Sequence, residues 1–331
     1  MIEINGVSIE LHADDYGQTL NTTEGILELM EEGLLDGISI LPNMPCAEEC
    51  FGMLVGAITE HKLPFLPMLA IHIDLVEGRM LSALGKSESP ADATDAPKLI
   101  PWTWKSLFFA SYPFVKKATY KQVKAEVEAQ LSAGKKYTDE LLALAKENGV
   151  ETTQAGLRID SHQHAHMLPI VWKAIAEVIA EKGYDVEYVR NSHEPLGVFL
   201  KHNGDRLESG RLKLNPVGIV KNRILAFMAP RIEKWVQAHS LNPSYLWGLI
   251  MTGHMDMERI EAVMPDMLEL CKSKGRDLEI NIHPGIMLES EKCPEVPEES
   301  ARDFYMFTEN RLTEADTVRR FGEYRKDRNC K

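Results

Sequence analysis

Strand-like and helix-like segments alternate along most of this chain, and nothing else in the sequence limits its fold as strongly. "VSIELHA" at 7–13 has strand character, and "GISILP" at 37–42 returns to it. Between them "TTEGILELMEEGLL" at 22–35 places apolar residues at helical spacing, with Thr22 or Thr23 as the expected cap. The order continues through "PMLAIHIDL" (67–75), a helical stretch near 120–148, "GLRIDSH" (156–162), a helix at about 168–183 and "YDVEYVR" (184–190). "YLWGLIM" (245–251), a helix near 257–274 and "LEINIHPG" (278–285) follow. Seven or so strands separated by helices imply an α/β protein with a parallel sheet, closed as a barrel or open and doubly wound. At 331 residues, one large domain or two small ones fit. There is no internal repeat and no clear linker, and the stretches "GKSESPADATDAPKLIP" (85–101) and "ESEKCPEVPEES" (289–300) read as surface loops.

Composition narrows the partners. With 44% hydrophobic and 26% charged residues the chain is an ordinary globular protein able to bury a core. Its 37 basic and 50 acidic residues give a net charge of −13, which argues against a nucleic-acid backbone or an anionic membrane and favours a neutral or cationic ligand. The N-terminus "MIEINGVSIELHADD" carries no secretory pattern, and no apolar run reaches membrane-spanning length, so a cytoplasmic protein is expected. Five scattered cysteines, Cys46, Cys50, Cys271, Cys293 and Cys330, with no C-x-x-C pair, read as reduced thiols.

Polar residues gather where strands end: "HADD" (12–15), "HID" (72–74), "DSHQH" (160–164) and "HPG" (283–285). Parallel α/β proteins build their sites at the carboxyl ends of strands, so four strands deliver side chains to one rim. The densest stretch is "RIDSHQHAHM" at 158–167. If it is extended, Asp160, His162, His164 and His166 share one face of the sheet. One carboxylate and two imidazoles from separate strands suffice for a catalytic metal site with positions left for water. By itself, "DD" at 14–15 also fits turn or capping chemistry before the first helix.

The motifs "HADDYG", "AIHIDL", "DSHQHAHMLP" and "NIHPG" together resemble the YdjC/ChbG family of carbohydrate deacetylases, in order and approximate separation, from about residue 8 to 286. That resemblance implies a single (β/α) barrel-like domain, a distorted TIM-like barrel spanning 1–331, with an enlarged insertion at about 78–122. It implies one divalent metal ion, magnesium or zinc with manganese or cobalt as alternatives, and removal of acetyl groups from N-acetylated sugars such as chito-oligosaccharides. Carried over by motif, Asp15, His72 and His162 are the metal ligands and Asp14 the catalytic base. Tyr16 stands where Phe is usual in the family and Gln163 where His is common; both leave the ligand set intact, while the insertion bears on the substrate.

An amine leaves only when protonated, so a general acid is needed, and His283 is the candidate, with a structural His before Pro-Gly as the alternative. Asp160 is expected to orient an imidazole through its second nitrogen. His164 and His166 either line the pocket or hydrogen-bond within the barrel, and Arg190 holds Asp14 or the substrate. Trp102, Trp104, Phe108, Phe109, Tyr112 and Phe114 make either a sugar-stacking surface or a core or oligomer contact. The partners expected are a small carbohydrate and, as one option, a second copy of the chain. Rival readings are another metal-dependent barrel hydrolase (an amidohydrolase or a phosphoesterase) and a non-catalytic sugar- or metal-binding protein. A glycosidase fits less well, because two opposed carboxylates would not need His72 and His162.

Overall fold

The computed structural model describes residues 1–83, 98–112, 117–306 and 308–329. Phe114, Cys330 and most of the 85–101 stretch lie outside them. The first half runs β1 (Ile2–Ile4), β2 (Val7–Tyr16), α1 (Leu20–Glu31), β3 (Gly37–Ile40), α2 (Ala47–Thr59), β4 (Met68–Ile73), α3 (Trp104–Ala110), α4 (Lys117–Glu147) and β5 (Leu157–Ser161). After a 3₁₀ turn come α5 (Pro169–Lys182), β6 (Val186–Val189), α6 (Leu196–His202), the short pair β7 (Arg206–Leu207) and β8 (Gly210–Arg211), and α7 (Pro216–Ala238). The chain then forms β9 (Ser244–Trp247), α8 (Met257–Lys274), β10 (Asp277–Ile282), the single turn α9 (Glu298–Ser300) and α10 (Thr308–Asn329).

Seven parallel strands form one curled sheet in the order β6-β5-β4-β3-β2-β10-β9, with β1 antiparallel on β2. The expected barrel-like α/β architecture is therefore present. The two edges, β6 and β9, are not laddered to each other. They are bridged by the Leu246 N–H donating to the His193 carbonyl at 3.2 Å and by Tyr188 Oη, 3.1 Å from Ser244 Oγ.

Alternation along β2 sorts its side chains. Ile9 and Leu11 point outward into an apolar layer shared with α1, α2 and α8, while Glu10, His12 and Asp14 point inward. A second apolar layer lies between β4, β5 and β6 and the helices α4, α5 and α7. The hydrophobic core is thus a jacket around the sheet, and the axis is polar. Arg158 donates to Glu10 at 2.7 Å, and His12 bridges Glu10 (2.8 Å) and Ser39 (2.7 Å). Gly37 makes room for that pair, since a Cβ there would sit 2.4 Å from both Glu10 Oε1 and His12 Nδ1.

The helices follow local rules, with one correction. Thr19 caps α1 by accepting the N–H of Thr22, so neither Thr22 nor Thr23 is the cap. Proline opens α5 and left-handed Gly183 closes it. The 289–300 stretch is not only a surface loop, because Glu291 accepts the Asn21 N–H and the Thr19 hydroxyl at the start of α1. No helix among the described residues is long and apolar enough to cross a membrane.

Candidate active site

Two adjacent strand residues ordinarily face opposite sides of a sheet, yet Asp14 and Asp15 line the same cavity. The cause is local. Asp15 has φ 72°, in the left-handed region, and the β2–β3 register shifts between Ala13 and Tyr16. Such a bulge re-aims side chains at the end of a strand, at a conformational cost of roughly 1–2 kcal/mol for a non-glycine residue.

Asp15, His72 and His162 bring donor atoms within 4.8 Å of one another. Asp15 Oδ1 lies 3.2 Å from His162 Nδ1 and 3.7 Å from His72 Nε2. His72 Nδ1 is 2.7 Å from Asp160 Oδ1, a pairing that puts the hydrogen on Nδ1 and leaves the Nε2 lone pair facing Asp15. Asp160 therefore orients His72 rather than its sequence neighbour His162. His72 Nε2 and Asp15 Oδ2 are buried with no hydrogen-bond partner. Buried polar atoms normally find one, so these two unpartnered ligand atoms beside the His162 imidazole fit a divalent cation. Burial lowers the His162 pKa, but Asp74, Asp15 and Glu77 outweigh it and push the imidazole up to about 10. The same contact with His162 holds the Asp15 carboxyl far below its usual range against the upward pull of burial.

Among the described residues three overlapping groups could also offer donors, and all share residues with this cluster or the barrel axis. In the groups Asp14–His72–Asp160 and His12–Asp160–Glu279, Arg190 already neutralises the carboxylates. In the group Asp74–Glu77–His162, Asp74 Oδ1 accepts the Val76 and Glu77 N–H groups, and Tyr305 bonds both Glu77 and His162.

Asp14 sits beside the cluster in a rigid cradle. Arg190 donates from Nη1 to Oδ2 and from Nη2 to Oδ1, both at 2.8 Å, and Asn281 Nδ2 donates to Oδ2 at 2.9 Å. Burial would raise the Asp14 pKa, but the guanidinium and the nearby His72 hold it well below the carboxylate range. Arg190 is fully buried and also binds Asp160 Oδ2 (2.9 Å) and Glu279 Oε1 (2.8 Å), so it secures Asp14 and does not reach the cavity. His283, following β10, places Nε2 3.9 Å from Asp14 Oδ2 and Nδ1 3.6 Å from Glu314 Oε2.

The histidine row is not extended. The strand ends at Ser161, and His162–Met167 is a 3₁₀ turn in which Gln163 and His164 have φ of 51° and 60°. The expected shared face is thus lost, and the three rings go three ways. His162 joins the cluster. His164 lines the cavity with Nδ1 2.9 Å from Ser192 Oγ, and burial holds its pKa well below that of a free imidazole. His166 turns into the wall between Ser161 Oγ (2.6 Å) and the Arg190 carbonyl (2.7 Å), where burial lowers it to about 4.

The cavity measures about 340 Å³. Asp14, Asp15, His72, His162, His164 and His283 line it, while Asp160, His166 and Arg190 stand behind. Its other wall comes from α7 (Lys221) and from residues near and within α10 (Tyr305, Arg311, Glu314), none of which the sequence reading singled out. The four share no local pattern with the strand-end motifs. None of Trp102, Trp104, Phe108, Phe109 or Tyr112 lines the cavity; they cluster on and around α3, with Phe109 and Tyr112 exposed. A separate hollow of about 290 Å³ opens at the opposite ends of the strands, against the already paired Glu10, Arg158 and Glu279.

"Carbohydrate deacetylase" from Mus musculus is 27% identical over 184 residues, 56% of this chain and 50% of the relative. The Homo sapiens protein of the same name is 28% identical over 178 residues, 54% of this chain and 46% of the relative. The match spans about half the length of each of these curated relatives. A solved Enterococcus faecalis V583 structure, described as a proposed cellobiose-phosphate cleavage protein, aligns over 96% of this chain and 95% of its own at TM-score 0.48 and 15% identity. The family model for YdjC-like protein matches residues 8–140 and 153–320, and the chain belongs to that family.

Proposed function

We propose that this chain is a metal-dependent hydrolase that removes the acetyl group from an N-acetylated sugar, a chito-oligosaccharide or a glucosamine-containing conjugate. One observation carries the reading: two orphaned buried donors, Asp15 Oδ2 and His72 Nε2, beside a cavity that also holds a fixed carboxylate and a second histidine. The relatives named carbohydrate deacetylase supply the substrate class. The family match, over 8–140 and 153–320, favours one deacetylase domain over 1–331. Cys46, Cys50, Cys271 and Cys293 are free thiols, which suits a reducing, cytoplasmic setting.

Asp15, His72 and His162 would hold the ion, and a mixed N/O set suits zinc or magnesium, with manganese and cobalt also accommodated. When bound, such an ion acidifies a water and polarises the amide carbonyl. The rest falls to the chain's own groups. Asp14, kept ionised and fixed by Arg190 and Asn281, takes the proton of the attacking water. His283 gives its Nε2 proton to the departing nitrogen, so that a neutral amine leaves, with Glu314 beside Nδ1 to stabilise the cationic ring. Through one bridging water the first proton passes from Asp14 Oδ2 to His283 Nε2, 3.9 Å away, and restores both groups.

The test is acetate release from a panel of N-acetylated sugars, before and after chelation, with four variants. Chelation abolishes hydrolysis and a divalent ion restores it. Asp14→Asn keeps metal and loses roughly 10²–10⁴ in turnover, the range for general acid–base catalysis. Asp15→Asn and His162→Ala weaken metal affinity itself, whereas His283→Ala keeps metal and loses far more on amides than on activated esters. Full activity in metal-free protein, or turnover of phosphoesters with no acetate from any sugar, refutes the reading.

A further inference from the structure

Glu77 and Tyr305 are 3% exposed, and both meet His162 from the side away from Asp15. Tyr305 Oη lies 2.6 Å from His162 Nε2 and 3.0 Å from Glu77 Oε2. The tyrosine ring is seated in a small apolar cluster with Leu41, Met44, Met287 and Val296, so its hydroxyl is fixed in place. That hydroxyl has one hydrogen to give. In its bond to Glu77 the phenol donates to Oε2, so the tyrosine oxygen is left as an acceptor. With a cation in place of the second ring proton, His162 Nε2 then keeps the hydrogen, and Nδ1, 3.2 Å from Asp15 Oδ1, offers its lone pair to the cluster. The opposite arrangement, with Tyr305 donating to Nε2, would put the hydrogen on Nδ1 and close that donor.

His72 shows the same logic in mirror image. Asp160 takes the Nδ1 hydrogen directly and frees Nε2. The two imidazoles thus use opposite nitrogens, one backed by a carboxylate and the other by a carboxylate acting through a phenol. Glu77 comes from the loop after β4 and Tyr305 from the turn before α10, so two segments far apart in sequence meet behind His162.

We propose that Tyr305 and Glu77 are positioning residues that fix His162 with Nδ1 as its ligand atom, an assignment that rests on the metal site proposed above. The experiment uses the full chain loaded with zinc, whose affinity is read by competition with a chromogenic chelator, while long-range ¹H–¹⁵N NMR on histidine-labelled protein reports which ring nitrogen bears hydrogen. In the unsubstituted protein His162 carries its hydrogen on Nε2 and is ligated through Nδ1. Tyr305→Phe keeps the ring and its packing but lowers zinc affinity about 10–100-fold, the usual loss for an outer partner of a ligand. Glu77→Gln, which leaves Tyr305 in its apolar seat, lowers affinity several-fold, and the double variant binds no more weakly than Tyr305→Phe because Glu77 acts through the phenol. Zinc affinity within twofold of the parent in both single variants, additive losses in the double, or a hydrogen on Nδ1 in the parent each overturn the inference. A parent chain that takes up no divalent ion overturns instead the metal site on which it rests, and the two failures are told apart by that first titration.

Discussion

Removing the charge of Arg190 should destabilise this protein in a way that depends on pH. The side chain is fully buried and contacts three carboxylates, those of Asp14, Asp160 and Glu279. Arg190→Met replaces it with an apolar chain of similar reach and leaves those acids facing one another. Breaking a buried ion pair from one side costs about 3–5 kcal/mol. For a chain of this length the unfolding entropy is about 0.7 kcal/mol/K, so the melting temperature should fall by about 4–7 °C at neutral pH. The sign of the pH effect follows from the shifts. Asp14 and Asp160 both have folded pKa values below their unfolded ones, so the stability they contribute is present above about pH 4 and is lost only as pH falls through the lowered folded values. Without Arg190 the upward pull of burial is opposed chiefly by His72 alone, and the folded values rise through the unfolded ones. The variant therefore loses stability as pH rises, and its deficit is larger at pH 8 than at pH 5. Thermal unfolding of both proteins at pH 5, 6, 7 and 8 measures this. A deficit that is the same at all four, or a variant melting within a degree of the parent at pH 8, refutes the account of the polar axis.

Three further outcomes follow from single contacts. Gly37→Ala forces a Cβ to within 2.4 Å of Glu10 Oε1 and His12 Nδ1, and should cost about 1–3 kcal/mol; unchanged denaturant unfolding would mean the axis is looser than described. His166, held near 4 in the folded protein against 6.5 for a free imidazole, contributes stability that is full above pH 6.5 and lost as pH falls towards 4, amounting to about 3 kcal/mol. His166→Gln removes that titration, so urea unfolding at pH 7 and pH 4.5 should show the parent losing its advantage at the lower value, and parallel profiles would contradict it. Lys221 lines the cavity with its amine lowered by burial to about 8, so at pH 8 it should acylate faster than exposed lysines such as Lys136 and Lys274. Peptide mapping by mass spectrometry reads the order, and equal labelling of all three sets the assignment aside.

How much of this was legible beforehand depends on whether a residue's position follows from its neighbours in sequence. The strands did, because their punctuation and period are local, and so did the meeting of Asp15, His72 and His162, since parallel strands end on one rim. The histidine row misled for a reason equally local. Alternation was assumed to continue past Ser161, but two left-handed residues, Gln163 and His164, end the strand there, and no residue type at those positions announces it. Tyr305, Arg311 and Glu314 were invisible for a different reason. They reach the site from beyond the last strand, placed by tertiary packing of α10 and the turn before it. The polar axis was half visible: "IELHAD" in β2 alternates apolar and polar residues, whereas a strand of a parallel sheet buried on both faces ordinarily reads as a continuous apolar run. The charge partners across the axis, Arg158 and Arg190, could be assigned only once the sheet was seen to curl.

The unladdered junction of β6 and β9 makes the sheet a spring clip rather than a hoop. A hoop opens only by breaking a row of strand hydrogen bonds at once, but here the gap is spanned by Leu246 to His193, by hydroxyl contacts of Tyr188 and, just past the strand ends, by Glu194 accepting the N–H groups of Gly248, Leu249 and Ile250. Arg190, just past β6 on one lip, grips Asp14 from β2, Asp160 from β5 and Glu279 from β10, and so acts as the latch. Regions held by few backbone bonds open at the lowest free energy. Amide hydrogens of Val186–Val189 and Ser244–Trp247 should therefore exchange earlier than those of β2 and β10 in the middle of the sheet. The residue that secures the Asp14 carboxylate is also the one that keeps the clip shut, which ties breathing of the whole cylinder to the orientation of one side chain in the cavity.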